Sequence, residues 1–82
     1  MVGYLARSVA GHDKGTLYII IEETQQYLLV ADGRLKTVEN PKKKNRKHLQ
    51  LIKEAHQALS NEAIRRIIKD YRRNVDVESG CH

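Results

Sequence analysis

The 82-residue chain lacks several residue types that commonly build or fix a fold. It has no phenylalanine or tryptophan, one proline (Pro41) and one cysteine (Cys81). A single cysteine excludes an intrachain disulfide and fits a reducing compartment. The core must therefore be built from aliphatic residues and the four tyrosines, and it must be small, because a domain this short buries only about 60% of its unfolded surface.

Long apolar runs are also missing. The longest are residues 17–21 and 27–31, far shorter than the roughly 20 residues that a membrane helix needs. The N-terminus carries no apolar stretch of signal-peptide length. We therefore expect one soluble domain in the cytoplasm, without a membrane partner.

Acidic residues are scarce where basic residues concentrate. Residues 34–74 hold thirteen of the fifteen lysines and arginines but only four of the ten acids, and the whole chain carries a net charge of +5. Such an asymmetry in a short chain indicates a polyanionic partner, of which nucleic acid is the commonest.

Short segments rich in β-branched residues, separated by turn residues, predict strands in the first part of the chain. They cover residues 2–10, 17–21, 27–31, 35–38 and 48–52. The turns between them contain Gly11, Gly15 and Gly33, where we expect positive φ. Strands this short and this closely spaced predict a mostly β fold, a small barrel or meander, over residues 1–59. Residues 53–59 are compatible with a strand, a helical turn or a loop.

One amphipathic helix is predicted after the strands. Ser60 has the character of an N-cap, and apolar residues from Ala63 to Tyr71 recur at three- and four-residue steps. The helix is expected over residues 60–74, packed on the same domain, with residues 75–82 as a flexible tail. Its opposite face carries Arg65, Arg66, Lys69, Arg72 and Arg73.

A basic arm, residues 41–47, is the strongest candidate for binding RNA. Its cations are Lys42, Lys43, Lys44, Arg46 and Lys47. We expect the arm to be solvated and to add nothing to folding, because like charges repel and no apolar residue anchors them. Opposite RNA phosphates these cations would release counterions, and binding would weaken steeply with salt. The alternative is a linker that only keeps the protein soluble. The helix cations are a second candidate surface, or an ordinary solvated face.

Aromatic and catalytic interpretations are weaker. Tyr4, Tyr18, Tyr27 and Tyr71 are expected in the core rather than stacked on bases, which favours recognition of RNA shape and backbone. Ser8, His12 and Asp13 lie close in sequence, but nothing near them resembles a nucleophile elbow. The pairs His48 with His56 and Cys81 with His82 lack the spacing of a four-ligand metal site. We expect no catalysis, no cofactor, no metal and no small-molecule substrate.

A set of turn residues resembles the KOW motif of ribosomal proteins and of transcription elongation and antitermination factors. The matching residues are Val2, Gly3, Arg7, Gly11, Asp13, Lys14 and Gly15, followed by an apolar strand. With residues 27–33, the likeness extends over residues 2–52 to the fourteen-e family of archaeal and eukaryotic large-subunit ribosomal proteins and to bacterial KOW-domain RNA-binding proteins. This chain has Tyr18 where many KOW motifs carry glycine, and the helix lies outside the motif.

The resemblance implies an SH3-like barrel that contacts RNA through loops and basic extensions. Gly11 and Gly15 would be the turn glycines of the motif, and Lys14 its exposed basic residue. The expected function is non-catalytic binding of structured RNA, ribosomal RNA or the ribosome itself, through Arg7, Lys14, the basic arm and the helix cations. The alternatives are a protein-interaction module of the transcription or translation machinery, and nonspecific binding of duplex DNA.

Overall fold

Five strands and one long helix make up the fold. The computed structural model describes residues 2–55 and 60–80, with side chains as far as residue 74. Its elements are β1 (Tyr4–Ser8), β2 (Leu17–Glu23), β3 (Tyr27–Ala31), β4 (Lys42–Asn45), a short 3₁₀ helix (Arg46–His48), β5 (Leu49–Glu54) and α1 (Asn61–Gly80). The strands pair antiparallel in one sheet, in the order β4-β3-β2-β1-β5. The predicted mostly β fold with one C-terminal helix is confirmed.

The core has two layers, one on each face of the sheet. Successive side chains of a strand point to opposite faces, so Leu17 and Ile19 of β2 join one layer while Tyr18 and Ile20 join the other. The first layer packs against the buried Ile64 and Ile68 of α1, and the second contains Ala6, Leu28 and Val30. The helix therefore packs on one face of the sheet, and the second core layer lies on the other face.

The predicted strand at residues 35–38 is wrong. This segment belongs to a loop in which several hydrogen bonds are local: the Asp32 carboxylate accepts from the backbone N–H groups of Arg34 and Lys36, at 2.9 and 3.0 Å. The N–H groups of Asp32 and Gly33 both donate to the carbonyl of Lys36. Among the described strands, none pairs with residues 35–38, and Leu35 is 86% exposed. The other predicted strands overlap the observed ones, and β3 has the predicted bounds.

The loop over residues 32–40 holds the start of α1. Arg65 Nη1 donates to the carbonyl of Gly33 at 2.6 Å, and the Asn61 side chain accepts from the Val38 N–H at 2.8 Å. The same Asn61 amide donates to both oxygens of Glu39, at 3.0 and 2.9 Å. These contacts hold the start of α1 against the loop. The loop residues therefore lie beside the cations of the helix.

The helix begins as predicted but ends later. The Ala63 N–H donates to Ser60 Oγ at 3.1 Å, so Ser60 caps the first turn. The apolar stripe is confirmed, with Ile64 and Ile68 buried. Residues 75–80, which were predicted to lie beyond the helix, continue α1 to Gly80, and neither proline nor glycine interrupts residues 75–79. Cys81 and His82 lie outside the described residues. Within the described part of the chain, no helix has the length and apolarity needed to cross a bilayer.

Gly15 and Gly33 both have positive φ, but only Gly33 also lacks space for a side chain. Gly15 has φ +92°, and a Cβ built there would meet no atom within 4 Å, whereas Gly33 has φ +79° and a Cβ there would lie 2.5 Å from the carbonyl oxygen of Asn61. We expect Gly15→Ala to lower the free energy of unfolding by about 1–2 kcal/mol, from strain alone. Gly33→Ala should cost about 3 kcal/mol or more, because the clash with α1 adds to the strain. Urea unfolding of both variants checks this, and equal losses would contradict the close approach.

Candidate nucleic-acid interface

Most of the basic arm is a strand and its last residues begin a short 3₁₀ helix, which overturns the expectation of a solvated loop. Residues 42–45 form β4 and pair with β3, so that Lys44 lies opposite Leu28 and Lys42 opposite Val30. Both partners belong to the second core layer. Residues directly opposite in an antiparallel pair share a face. Lys42 and Lys44 therefore point to the face of the sheet that carries the second core layer, which we call the inner face.

Asp13 forms ion pairs with both of these lysines. Lys44 Nζ lies 2.7 Å from Asp13 Oδ1 and Lys42 Nζ 2.9 Å from Oδ2. The Tyr18 hydroxyl donates to Oδ2 at 2.7 Å, and the Ser8 hydroxyl lies 3.0 Å from Oδ1. The Lys44 and Asp13 side chains are only 8% and 13% exposed. We call these five residues the Asp13 cluster; it ties the turn at residues 11–15 to β4, so the lysines contribute to the fold.

The cluster shifts two pKa values. Partial burial by itself would raise the pKa of Asp13, but hydrogen bonds from Lys44, Lys42, Tyr18 and Ser8 outweigh it and hold that pKa well below its usual range. Burial raises the pKa of Tyr18, and the hydrogen bond to the Asp13 carboxylate raises it further. The carboxylate is thus ionised, and the phenol neutral, across the physiological range.

The lowered pKa of Asp13 predicts acid sensitivity. Its contribution to stability is fully present above the unfolded-state pKa of about 4 and is lost as pH falls from there toward the lower folded-state pKa. Wild type should therefore be more stable than Asp13→Asn at about pH 5, with a gap that narrows toward about pH 2.5. Urea unfolding of both proteins along this series is the measurement. A gap that stays constant would show that Asp13 does not act through its ionised form.

The remaining arm cations differ in their surroundings. Arg46 Nη2 contacts Glu23 Oε2 at 2.7 Å and the carbonyl oxygen of Thr24 at 2.6 Å. Lys43 points to the opposite face of β4 from Lys42 and Lys44, which we call the outer face. Its Nζ lies 4.7 Å above the centre of the Tyr27 ring, a cation–π contact. Lys47 is exposed. Three of the five arm cations therefore have a carboxylate partner inside the protein, and the two carboxylates together offset two of the five positive charges.

A cationic groove lies between α1 and the sheet. Its volume is about 500 Å³, within the range of roughly 300–1,000 Å³ typical of ligand pockets. The buried side chains of Leu17 and Ile68 form an apolar floor, and Asp32 is the one acid that lines it. Thr16 completes the wall beside five cations, which are Arg34, Arg65, Lys69, Arg72 and Arg73. We call this feature the α1 groove.

The groove cations differ from Lys42 and Lys44 of β4, which share the Asp13 carboxylate as an ion-pair partner. Among the side chains that the structure describes, Arg34, Lys69, Arg72 and Arg73 make no ion pair. Arg65 donates to a backbone carbonyl, which leaves its charge in place. Among the described side chains, the α1 groove is therefore a strongly positive concave surface lined by a single carboxylate.

Four of the predicted helix cations line this groove, and the fifth does not. Arg66 lies outside it and pairs with Glu62 at 3.5 Å on the exposed helix surface. Three lining residues were not predicted from the sequence. Asp32 and Arg34 come from the loop after β3, and Thr16 directly precedes β2. No local pattern marks them, because their role depends on where the loop meets α1.

The two predicted cations in the first part of the chain lie on different surfaces. Arg7 pairs with Leu17 across β1 and β2, so it shares the face that α1 covers and is half-buried near the groove floor. Lys14 is exposed on the turn at residues 11–15. Arg7 thus lies beside the α1 groove, while Lys14 adds charge elsewhere.

The residues considered for catalysis or for stacking on bases are mostly buried or packed against the core. Ser8 is fully buried, with its hydroxyl shared between Asp13 and the carbonyl of Ala10, whereas His12 is exposed. Tyr18 is buried, as expected of a core residue, and Tyr4 and Tyr71 pack against the two core layers. Within residues 2–55 and 60–80, no three potential metal ligands lie close together. His56 is outside the described residues.

Comparison with known proteins adds no relative. No protein-family model matches the chain, and no curated protein matches it.

Proposed function

We propose that this protein is a non-catalytic RNA-binding protein that contacts the phosphates of structured RNA through the α1 groove. The observation that carries the proposal is the set of five cations around one concave surface, with a single carboxylate among them. Unpaired cations repel one another and stabilise the fold little, whereas opposite phosphates they release counterions and gain affinity. Four of the five are arginines, which grip phosphate through paired hydrogen bonds.

The finer assignment is an SH3-like barrel of the KOW type, with ribosomal RNA or the ribosome as target in the cytoplasm. The resemblance over residues 2–52 supports it. The positive φ angles of Gly11 and Gly15, at +87° and +92°, are what a KOW-type turn requires. The antiparallel order of five strands is compatible with such a barrel.

The basic arm contributes less to this proposal than its charge suggests. Lys42, Lys44 and Arg46 each have a carboxylate partner inside the protein, and an RNA phosphate would have to compete with it. Lys47 and Lys14 add electrostatic attraction, but at physiological salt this attraction is largely screened beyond about 8 Å. The proposed site is therefore the α1 groove with Arg7 beside it.

The deciding experiment recovers the nucleic acid crosslinked to the full chain in cells and measures its binding in vitro over a range of salt. Each phosphate contact contributes roughly 0.7–0.9 to the log–log salt slope, so four engaged cations predict a slope of about 3. Recovery of RNA with such a slope supports the proposal. Salt-insensitive binding to a protein would replace it with an interaction module, and equal binding of duplex DNA would remove the preference for RNA.

A further inference from the structure

We infer that Leu35 is an RNA-contacting residue, which packs against the ribose and base of the nucleotide whose phosphate Arg34 binds. This inference deepens the proposed function and rests on it. It adds an apolar contact to a site that is otherwise defined by its cations, and it leaves the α1 groove itself free to follow a phosphate backbone.

Leu35 is the most exposed large apolar side chain that the structure describes. Its exposed fraction is 86%, whereas Val2, Val9 and Leu51 are exposed by 49%, 40% and 40% and keep much of their surface against the protein. Removing such a leucine from water on a binding partner gains free energy. Single exposed apolar residues are common on proteins, and what sets Leu35 apart is how it is held and what surrounds it.

The loop holds Leu35 in place without using its side chain. The residues before and after it, Arg34 and Lys36, each donate a backbone N–H to Asp32 Oδ1. The N–H groups of Asp32 and Gly33 donate to the Lys36 carbonyl, and the carbonyl of Gly33 is tied to α1. Because hydrogen bonds already hold the backbone on both sides in the free protein, presenting Leu35 to a partner costs little conformational entropy.

The charges around Leu35 favour RNA as that partner. Arg34 lines the α1 groove, and Leu35 follows it directly, so their Cα atoms are about 3.8 Å apart. Lys36 adds a cation on the other side. A phosphate bound by Arg34 brings a ribose and a base close to Leu35, because the three parts of a nucleotide are covalently joined. A protein partner would instead need an acidic rim around an apolar pocket.

Structured RNA offers a suitable surface even where its bases are paired. The minor groove of an A-form helix is wide and shallow and presents riboses and base edges. Leu35 can therefore pack on a nucleotide there while the cations of the α1 groove follow the phosphates. No base has to enter the α1 groove, whose residues Leu17 and Ile68 are already buried.

The test compares two adjacent substitutions in this loop, with a synthetic RNA hairpin as the probe. Leu35→Ser removes apolar surface but no charge, so affinity at physiological salt should fall about fivefold, or roughly 1 kcal/mol. The log–log salt slope should stay unchanged. Arg34→Gln removes one phosphate contact, so in this variant the slope itself should fall by roughly 0.7–0.9.

The outcomes separate this inference from the proposed function. If Leu35→Ser binds the hairpin within about twofold of the wild-type affinity, the inference is overturned while RNA binding stands. A bound protein that is lost in Leu35→Ser, with RNA affinity kept, would assign Leu35 to a protein partner and overturn it as well. If wild type does not bind the hairpin even at low salt, the proposed function fails and the inference with it.

Two further variants separate contact with RNA from effects on folding. Leu35→Met keeps an apolar side chain of similar volume and should keep the wild-type affinity within about twofold. Leu51→Ser makes the same chemical change on β5, opposite Ala6 and therefore on the inner face of the sheet, and should also bind normally. Urea unfolding of Leu35→Ser should match wild type, because the side chain is mostly exposed. Equal losses of affinity in Leu35→Ser and Leu51→Ser would overturn the assignment.

Methyl resonances report the contact directly. Adding the hairpin to full-length protein with labelled leucine methyl groups should shift the signals of Leu35 and leave those of Leu51 in place. Unchanged Leu35 signals at saturating RNA would contradict the inference.

Discussion

Replacing Asp13 with alanine is expected to lower the free energy of unfolding by about 3–5 kcal/mol, the usual cost of removing one partner from a buried ion pair. Lys44 would then keep its charge at 8% side-chain exposure, with the Ala10 carbonyl as its remaining acceptor. The hydroxyls of Tyr18 and Ser8 would lose their shared acceptor as well. Small domains have only about 5–15 kcal/mol of stability in total, so the variant should unfold at markedly lower urea concentration.

Adjacent lysines of β4 provide the control for this prediction. Lys44→Gln removes a buried partner of Asp13, whereas Lys43→Gln removes the exposed lysine next to it on the outer face. The first should be clearly destabilising, and the second should cost less than about 1 kcal/mol, the scale of an exposed cation–π contact. Equal effects of the two substitutions would mean that β4 does not alternate between an inner and an outer face.

Reversing two charges in the α1 groove should have the largest effect on binding. Lys69→Glu with Arg72→Glu replaces two cations by anions in the groove where we expect phosphate, so contacts are lost and repulsion is added. Affinity for structured RNA at physiological salt should fall at least about tenfold, or roughly 1.4 kcal/mol. Both side chains are exposed, so circular dichroism should show an unchanged helix.

The matched control reverses two charges outside the groove. Lys47→Glu with Arg66→Glu gives the same net charge but changes only the long-range field, which is screened beyond about 8 Å. We expect less than a threefold loss of affinity. Arg65 is left unchanged in both proteins because its contact with Gly33 helps to hold α1. Equal losses in the two variants would show that net charge, and not the α1 groove, governs binding.

The sequence determined the elements that depend on local periodicity. The three- and four-residue spacing from Ala63 to Tyr71 specifies a helix with one apolar and one cationic face, and Ser60 marks its start. The β-branched runs specify strands, and the glycines specify turns at positive φ, confirmed at Gly11, Gly15 and Gly33. Each of these features arises from residues within a few positions of one another, which is why a single sequence can reveal it.

The basic arm could not be interpreted in this way. A run of lysines looks solvated when only its neighbours in sequence are considered. Pairing between β3 and β4 turns Lys42 and Lys44 inward, and the turn at residues 11–15 delivers Asp13 to meet them. Whether a lysine is buried thus depends on strand register and on a carboxylate far away along the chain.

The α1 groove likewise exists only in the folded chain. The helix cations could be read from periodicity, but the groove needs Arg34 and Asp32 from the loop after β3 and a floor shared between β2 and α1. The hydrogen bonds of Gly33 with Arg65 and of Val38 with Asn61 bring these parts together. The sequence determined that one helix face is positive; tertiary packing decided that this face borders a cavity, because only contacts between distant segments can enclose one.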